Sequence, residues 1–200
     1  MREVPRRDVI KFLAAAPLAG FAITALDLEE AAMATRDALA RLAERGQGYQ
    51  PQVFTPAEWR TVRVLVDLVI PRDERSGSAT DAMVPEFMDV FIASRQNMQN
   101  WMRTGLAWLD EESRKRSGST FVDSAPAQRT ALLDDIAWPG RARAEMQPGV
   151  RFFTNFRNFT ASGFWSSRMG VEDLQYMGNV PTMWNGCPAP ALEKLGVRYG

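Results

Sequence analysis

The chain has 200 residues, 24 lysines and arginines against 24 aspartates and glutamates, and a mean hydropathy of −0.26. That is enough for one domain that buries a core without staples, and its balanced charge provides neither a basic field for nucleic acid nor an acidic tail. There is no histidine and a single cysteine, Cys187, which excludes an imidazole base or ligand, a Cys-x-x-Cys-His haem site, a four-thiolate cluster and any internal disulfide.

Residues 1–34 read as an export leader and the start of a linker. Arg6-Arg7-Asp8-Val9-Ile10-Lys11 precede a weakly apolar stretch from Phe12 to Leu26, broken by Pro17 and Gly20 and followed by Asp27, Glu29 and Glu30. A charged n-region ahead of a short h-region is the layout of a removable signal, and the arginine pair is its twin-arginine form. The apolar stretch, about 15 residues, falls short of the ~20 that a membrane-spanning helix needs. Arg6 and Arg7 are therefore the expected transport determinants, on a route that carries cargo already folded. Small-residue cleavage sites occur around Ala22 to Ala25 and at Ala32-Met33-Ala34. Without Arg2, Arg6, Arg7, Lys11, Glu3 and Asp8, the remainder carries a net charge of −2.

Residues 35–53 read as a helical tether and connector. From Ala31 to Arg45, Ala, Leu and charge alternate at helical spacing until Gly46-Gln47-Gly48, and Tyr49-Gln50-Pro51-Gln52 follow. The domain body spans 54–200. Its first helix opens at Thr55-Pro56-Ala57-Glu58, a capping box with proline at the first helical position. Trp59, Val62, Leu65, Val66 and Val69 form its stripe, and Pro71 stops it. After a loop from Arg72 to Ala82, Pro85-Glu86 opens a helix apolar nearly all round (Phe87, Met88, Val90, Phe91, Ile92), which predicts burial. A longer helix runs from about Asn97 to Arg116. Gly105 interrupts its apolar stripe at a helix-propensity cost of about 1 kcal/mol, which marks a close approach by a neighbour. A fourth helix opens at Ser124-Ala125-Pro126 and turns Leu132, Leu133 and Ile136 inward. A fifth begins after Pro148-Gly149, and a short last one covers about Val171 to Tyr176. No stretch alternates with period two for long enough to make a strand. The reading is a single compact all-α domain of five to six helices, with a signal segment ahead of it and an irregular tail from Gly178 onward.

The carboxylate clusters Asp110-Glu111-Glu112, Asp134-Asp135 and Glu172-Asp173 have the composition of acid–base or metal sites. Each falls beside Lys or Arg on the polar side of a predicted helix, which reads as a solvated face. The aromatic run Phe152, Phe153, Phe156, Phe159, Phe164 and Trp165 is more apolar surface than one stripe needs, and two readings stay open: core, or core plus partner surface. Cys187 reads as a plain thiol, since a reactive thiolate wants a nearby base or cation. In the tail, Gly178-Asn179 and Asn185-Gly186 are turn pairs, with Tyr176, Met183 and Trp184 between and beside them. An irregular segment cannot easily bury such large groups by itself, so it is built to lie on a surface.

These motifs carry a resemblance. Phe54-Thr55-Pro56-Ala57-Glu58, Ile70-Pro71 with Asp73, Val84-Pro85-Glu86-Phe87, Phe164 with Ser166 to Gly170, and Gly178-Asn179-Val180-Pro181 to Gly186-Cys187-Pro188 occur in order behind the twin-arginine leader. Together the chain resembles the gluconate 2-dehydrogenase subunit 3 family, the small subunits of membrane-associated and periplasmic flavin dehydrogenases. The resemblance implies a non-catalytic partner of a large FAD-dependent glucose–methanol–choline-type flavoprotein that lacks its own export signal. It implies that no cofactor is held in this chain, that FAD is held in the partner, and that electrons leave through a cytochrome c or similar acceptor. It also implies passage of the folded pair through the twin-arginine translocase into the periplasm, with membrane association through the complex or an uncleaved leader. The version of the tail from Asp173 to Pro181 is similar to members paired with dehydrogenases that oxidise glycosides at ring carbon 3. Expected contact residues are Phe164, Trp165, Tyr176, Asn179, Trp184, Asn185, Gly186 and Cys187. The rival expectations are a stand-alone periplasmic binding or structural protein, and a metal-dependent enzyme built on the acidic pairs.

Overall fold

Threonines open the first two helices. In the computed structural model, which describes residues 24–175, 187 and 189–197, Thr24 caps α1 (Ala25–Glu44) and Thr55 caps α2 (Pro56–Val69). Each threonine hydroxyl accepts from the amide three residues on, and Asp27 or Glu58 accepts in return from the cap amide at 2.8 Å. Two otherwise orphaned donors are satisfied at each helix start. Then follow α3 (Val84–Ile92) and α4 (Gln96–Ser117), the latter closed by Gly118 in the left-handed region with φ 75°. Helix α5 (Pro126–Ala137) begins where Gln128 Oε1 accepts from the Ala125 amide at 2.9 Å. A 3₁₀ turn, Ala144–Met146, leads into α6 (Gln147–Trp165), which is followed by α7 (Arg168–Leu174) and α8 (Ala189–Leu195).

The all-α expectation holds, with no strand among the described residues. Eight α-helices are described, against the five to six expected. One of the extra two is α1, read from sequence as a tether. It begins ahead of the boundary expected at residue 34 and carries Ala32-Met33-Ala34 inside it. The other is α8, within the stretch read as an irregular tail. The last helix of the body starts earlier than expected because the Ser167 hydroxyl accepts from the Gly170 amide at 3.0 Å, a cap the aromatic run obscured. Among the described residues, no helix is long and apolar enough to cross a membrane.

Helix α6 is the centre of the core. Phe152, Phe156 and Phe159 face α3 and α4, and Phe87, Phe91 and Phe159 form a cluster with ring centroids 5.1 to 5.8 Å apart. Gly105 has the role its position implied: a Cβ there would lie 1.8 Å from the Phe152 ring. The insertion is reciprocal, since Trp108 of α4 lies against Gly149 of α6. Phe153 and Phe164, off that stripe, are also buried, because α5, α2 and α7 cover the other sides of α6. The two open readings of the aromatic run resolve to core for all five phenylalanines. At roughly 1.5–3 kcal/mol for each buried ring, this one helix contributes on the scale of a domain's whole net stability.

Candidate partner interface

Two well-ordered corners frame an open cleft. The first is the loop between α2 and α3. Asp73 Oδ1 accepts from the Arg75 and Ser76 amides at 2.9 and 3.0 Å, and Asp81 Oδ2 accepts from the Ser78 amide and the Arg72 guanidinium, both at 2.7 Å. The Ser78 amide, with Arg72 adding to it, holds the Asp81 carboxyl below its ordinary range. The Thr80 amide donates to Asp67 Oδ1 at 2.8 Å. This loop delivers Met83, 45 % exposed, in the left-handed region at φ 59°. A residue with a Cβ sits there at a cost of about 1–3 kcal/mol, which the surrounding hydrogen bonds sustain.

The second corner joins α6 to α7. Ser167 Oγ donates to the Phe164 carbonyl at 2.6 Å while accepting from Gly170. A Cβ on Gly170 would meet that same carbonyl oxygen at 2.0 Å, and a backbone atom cannot swing aside, so only glycine allows the two helices to meet this closely. Asp173 then ties α7 to the first corner. It is 8 % exposed, its carboxylate lies 3.3 Å from Arg75 Nε, and its carbonyl accepts from the same guanidinium. The solvated-face reading fails for this residue, because Asp173 lies on the side of α7 that packs on the body, against Arg75. It holds for Glu111, which pairs at i,i+4 with Lys115, and for Glu172 with Arg168 at 2.7 Å. Asp110 and Glu112 pair likewise with Arg114 and Arg116, and Arg116 also meets Asp135 at 2.9 Å.

Between the corners and α1 lies a cleft of about 360 Å³. Phe87 and Gly163 form its floor, Leu39, Met83 and Met169 its apolar walls, and Arg36 stands at its edge. The thioethers are flexible and polarisable, a lining that adapts to an inserted apolar side chain. The arrangement can seat a protruding residue and orient it by the polar rim. Among the described residues, no group of three or more His, Cys, Asp or Glu comes together to hold a metal.

The expected contact residues fare differently. Phe164 is fully buried and packs edge-to-face on Trp165 with centroids 4.9 Å apart. Its side chain therefore serves the core. Trp165 is half-buried, and its Nε1 is buried without an acceptor. Cys187 is half-buried. Arg6, Arg7, Tyr176, Asn179, Trp184, Asn185 and Gly186 lie outside the described residues.

A second polar centre escaped the sequence reading. Asp89 of α3 is fully buried and accepts four hydrogen bonds, including one from Tyr49 in the stretch taken for a plain connector. Burial, reinforced by Asp89, pushes the Tyr49 phenol far above its ordinary value. Glu86, one turn away, is 5 % exposed with Oε2 bare and Arg63 3.5 Å from Oε1, and burial raises its carboxyl. The signal was present: Asp89 interrupts Phe87-Met88 and Val90-Phe91-Ile92, and an acid inside a buried apolar helix needs donors from elsewhere.

The fold and the cleft define a class, a chain all-helical over its described residues with an open, apolar-walled cleft on its surface. The chain belongs to the gluconate 2-dehydrogenase subunit 3 family, whose model matches residues 56–186. Membership makes it an accessory subunit of a dehydrogenase complex, in association with a larger dehydrogenase subunit. The matched span holds both corners of the cleft and the predicted contacts from Phe164 to Gly186, and it leaves out α1 and the residues before Pro56. No curated protein and no solved structure matches the chain.

Proposed function

We propose that this chain is the non-catalytic small subunit that binds, stabilises and escorts an FAD-dependent sugar dehydrogenase of the glucose–methanol–choline type. The family match over residues 56–186 carries the reading. The absence of histidine and the single cysteine in the sequence support it, since they leave few groups for chemistry of its own. In this reading Arg6 and Arg7 direct the folded pair through the twin-arginine translocase to the periplasm. FAD resides in the large subunit, and a cytochrome c takes the electrons. A dehydrogenase acting at ring carbon 3 of glycosides is the partner that the tail from Asp173 to Pro181 favours. The cleft beside α7 receives an apolar side chain of that flavoprotein, and Trp165 and Cys187 lie at the same end of the chain as the remaining predicted contacts.

The test is what accompanies a tagged chain from its native host. A yellow eluate with the flavin spectrum and a second, larger polypeptide is expected. A colourless chain without companion overturns the proposal. Because the arginine pair is read as two forks of donors, Arg6→Lys with Arg7→Lys is expected to retain both subunits in the cytoplasm. Flavoprotein that still reaches the periplasm in that variant removes the export role and leaves the escort role to the first experiment.

A further inference from the structure

Helix α3 holds α1 at both ends, by two different chemistries. At the start of α1, Asp27 meets Arg95, just past the end of α3, at 2.9 Å with both side chains about 30 % exposed. Arg95 is itself fixed, since its Nη1 donates to the Phe91 carbonyl at 2.7 Å and its guanidinium lies 4.1 Å above the Phe91 ring. The middle of α1 seats through Ala31, Ala32 and Thr35, which are buried but small. Past the end of α1 the chain returns across α3 and closes on Asp89. The Tyr49 hydroxyl and the Gln52 amide donate to Oδ2 at 2.7 Å, and the Val53 and Phe54 amides donate to Oδ1 at 3.0 and 3.2 Å. The same strap is gripped by two more helices: Arg103 of α4 donates to the Val53 carbonyl at 3.1 Å, and the Tyr49 ring stacks on Trp59 of α2 at 5.8 Å.

We propose that Asp89 is a latch, and that α1 with the strap 49–54 is an arm that seats and releases as one unit. A partly exposed ion pair contributes little, and the apolar hold of the arm is limited to small or partly buried side chains of α1 and the single buried ring of Phe54 at the end of the strap. Asp89 is the strong hold, because a carboxylate withdrawn from water depends on its donors and every one of these four comes from the strap. The latch is complete only when α2, α3 and α4 have packed, so a seated arm reports a finished body. It also determines where Thr24 stands on the body, which under the export reading above couples the leader's attachment point to folding. The latch is tested without any partner, so it and that reading fail separately.

Hydrogen exchange on the purified chain is the test. Amides of α1 and of Gln52, Val53 and Phe54 are expected to open together, more readily than those of α4 and α6. Asp89→Asn turns one acceptor into a donor facing donors and is expected to speed exchange of the arm about 30-fold, the equivalent of one charge-assisted hydrogen bond, while α4 and α6 still exchange more slowly than the arm. Arm amides that are unchanged in this variant, or that open only together with the whole body, overturn the latch. If Asp89→Asn does not fold, Tyr49→Phe removes a single donor from the arm side and leaves the body intact. It is expected to speed arm exchange about tenfold, and no change there overturns the latch equally.

Discussion

At Asp89 a carboxylate is taken fully out of water and surrounded by donors from its own chain, so that nothing is left for a partner to supply. Beside α7 the chain does the reverse: Met83 and Val171 remain open to solvent, and a strained backbone at φ 59° presents one of them. Both regions are attached to α3, one inside the helix and one at its N-terminal end. The difference separates the two roles. Groups whose hydrogen bonds or apolar surface are satisfied within the chain hold it together, whereas groups left incomplete on a rigid frame are available to another molecule.

Substitutions can break this division, and the largest effect is expected at the latch. Asp89→Ala leaves three backbone amides and a phenol without their acceptor, and urea denaturation should show a loss of about 3 kcal/mol. An effect under about 1 kcal/mol would mean that water readily replaces the carboxylate, and the contrast between the two regions would disappear. Gly170→Ala comes next. The new Cβ meets the Phe164 carbonyl, and about 2 kcal/mol of stability should be lost, together with affinity for the dehydrogenase as the α6–α7 corner shifts.

Met83→Asp sharpens the comparison from the other side. Stability should change by no more than about 0.5 kcal/mol, while capture of the large subunit weakens about tenfold in a pull-down titration. Equal binding by both proteins would remove the cleft from the interface. The smallest effect is expected at Glu86. Burial raises its carboxyl above the ordinary 4.5, so its contribution is fully present below about that pH and is lost as pH rises through the folded value. Glu86→Gln removes that loss. It should raise the melting temperature at about pH 8 by a few degrees, the equivalent of ~1 kcal/mol, and the gain should shrink towards pH 5. A gain that stays constant with pH would show that Glu86 takes up no proton on folding.

Much of the framework was legible residue by residue. Thr55 with Glu58 announced a helix start because a capping box lies within four residues. Gly105 announced a close neighbour because glycine in an apolar stripe has a cost that packing must offset, and Phe152 is that neighbour. The aromatic run announced burial without saying on how many sides. The full burial of Phe164 was not legible, because a single helix cannot reveal that a second one, α7, turns back against its end. Asp173 was read as solvated for a similar reason, since its ion-pair partner Arg75 lies 98 residues away.

What the sequence determined by itself is compositional or local: the absence of imidazole and the lone thiol, and the helix starts, stops and apolar faces, which depend on neighbours within a few positions. The tertiary structure alone decided that a tyrosine and an aspartate 40 residues apart share a proton donor and an acceptor, and that α1, a loop and α7 enclose a cleft. The physical reason is that donors, acceptors and apolar walls are matched through space, and which of them meet is settled only when the helices have packed.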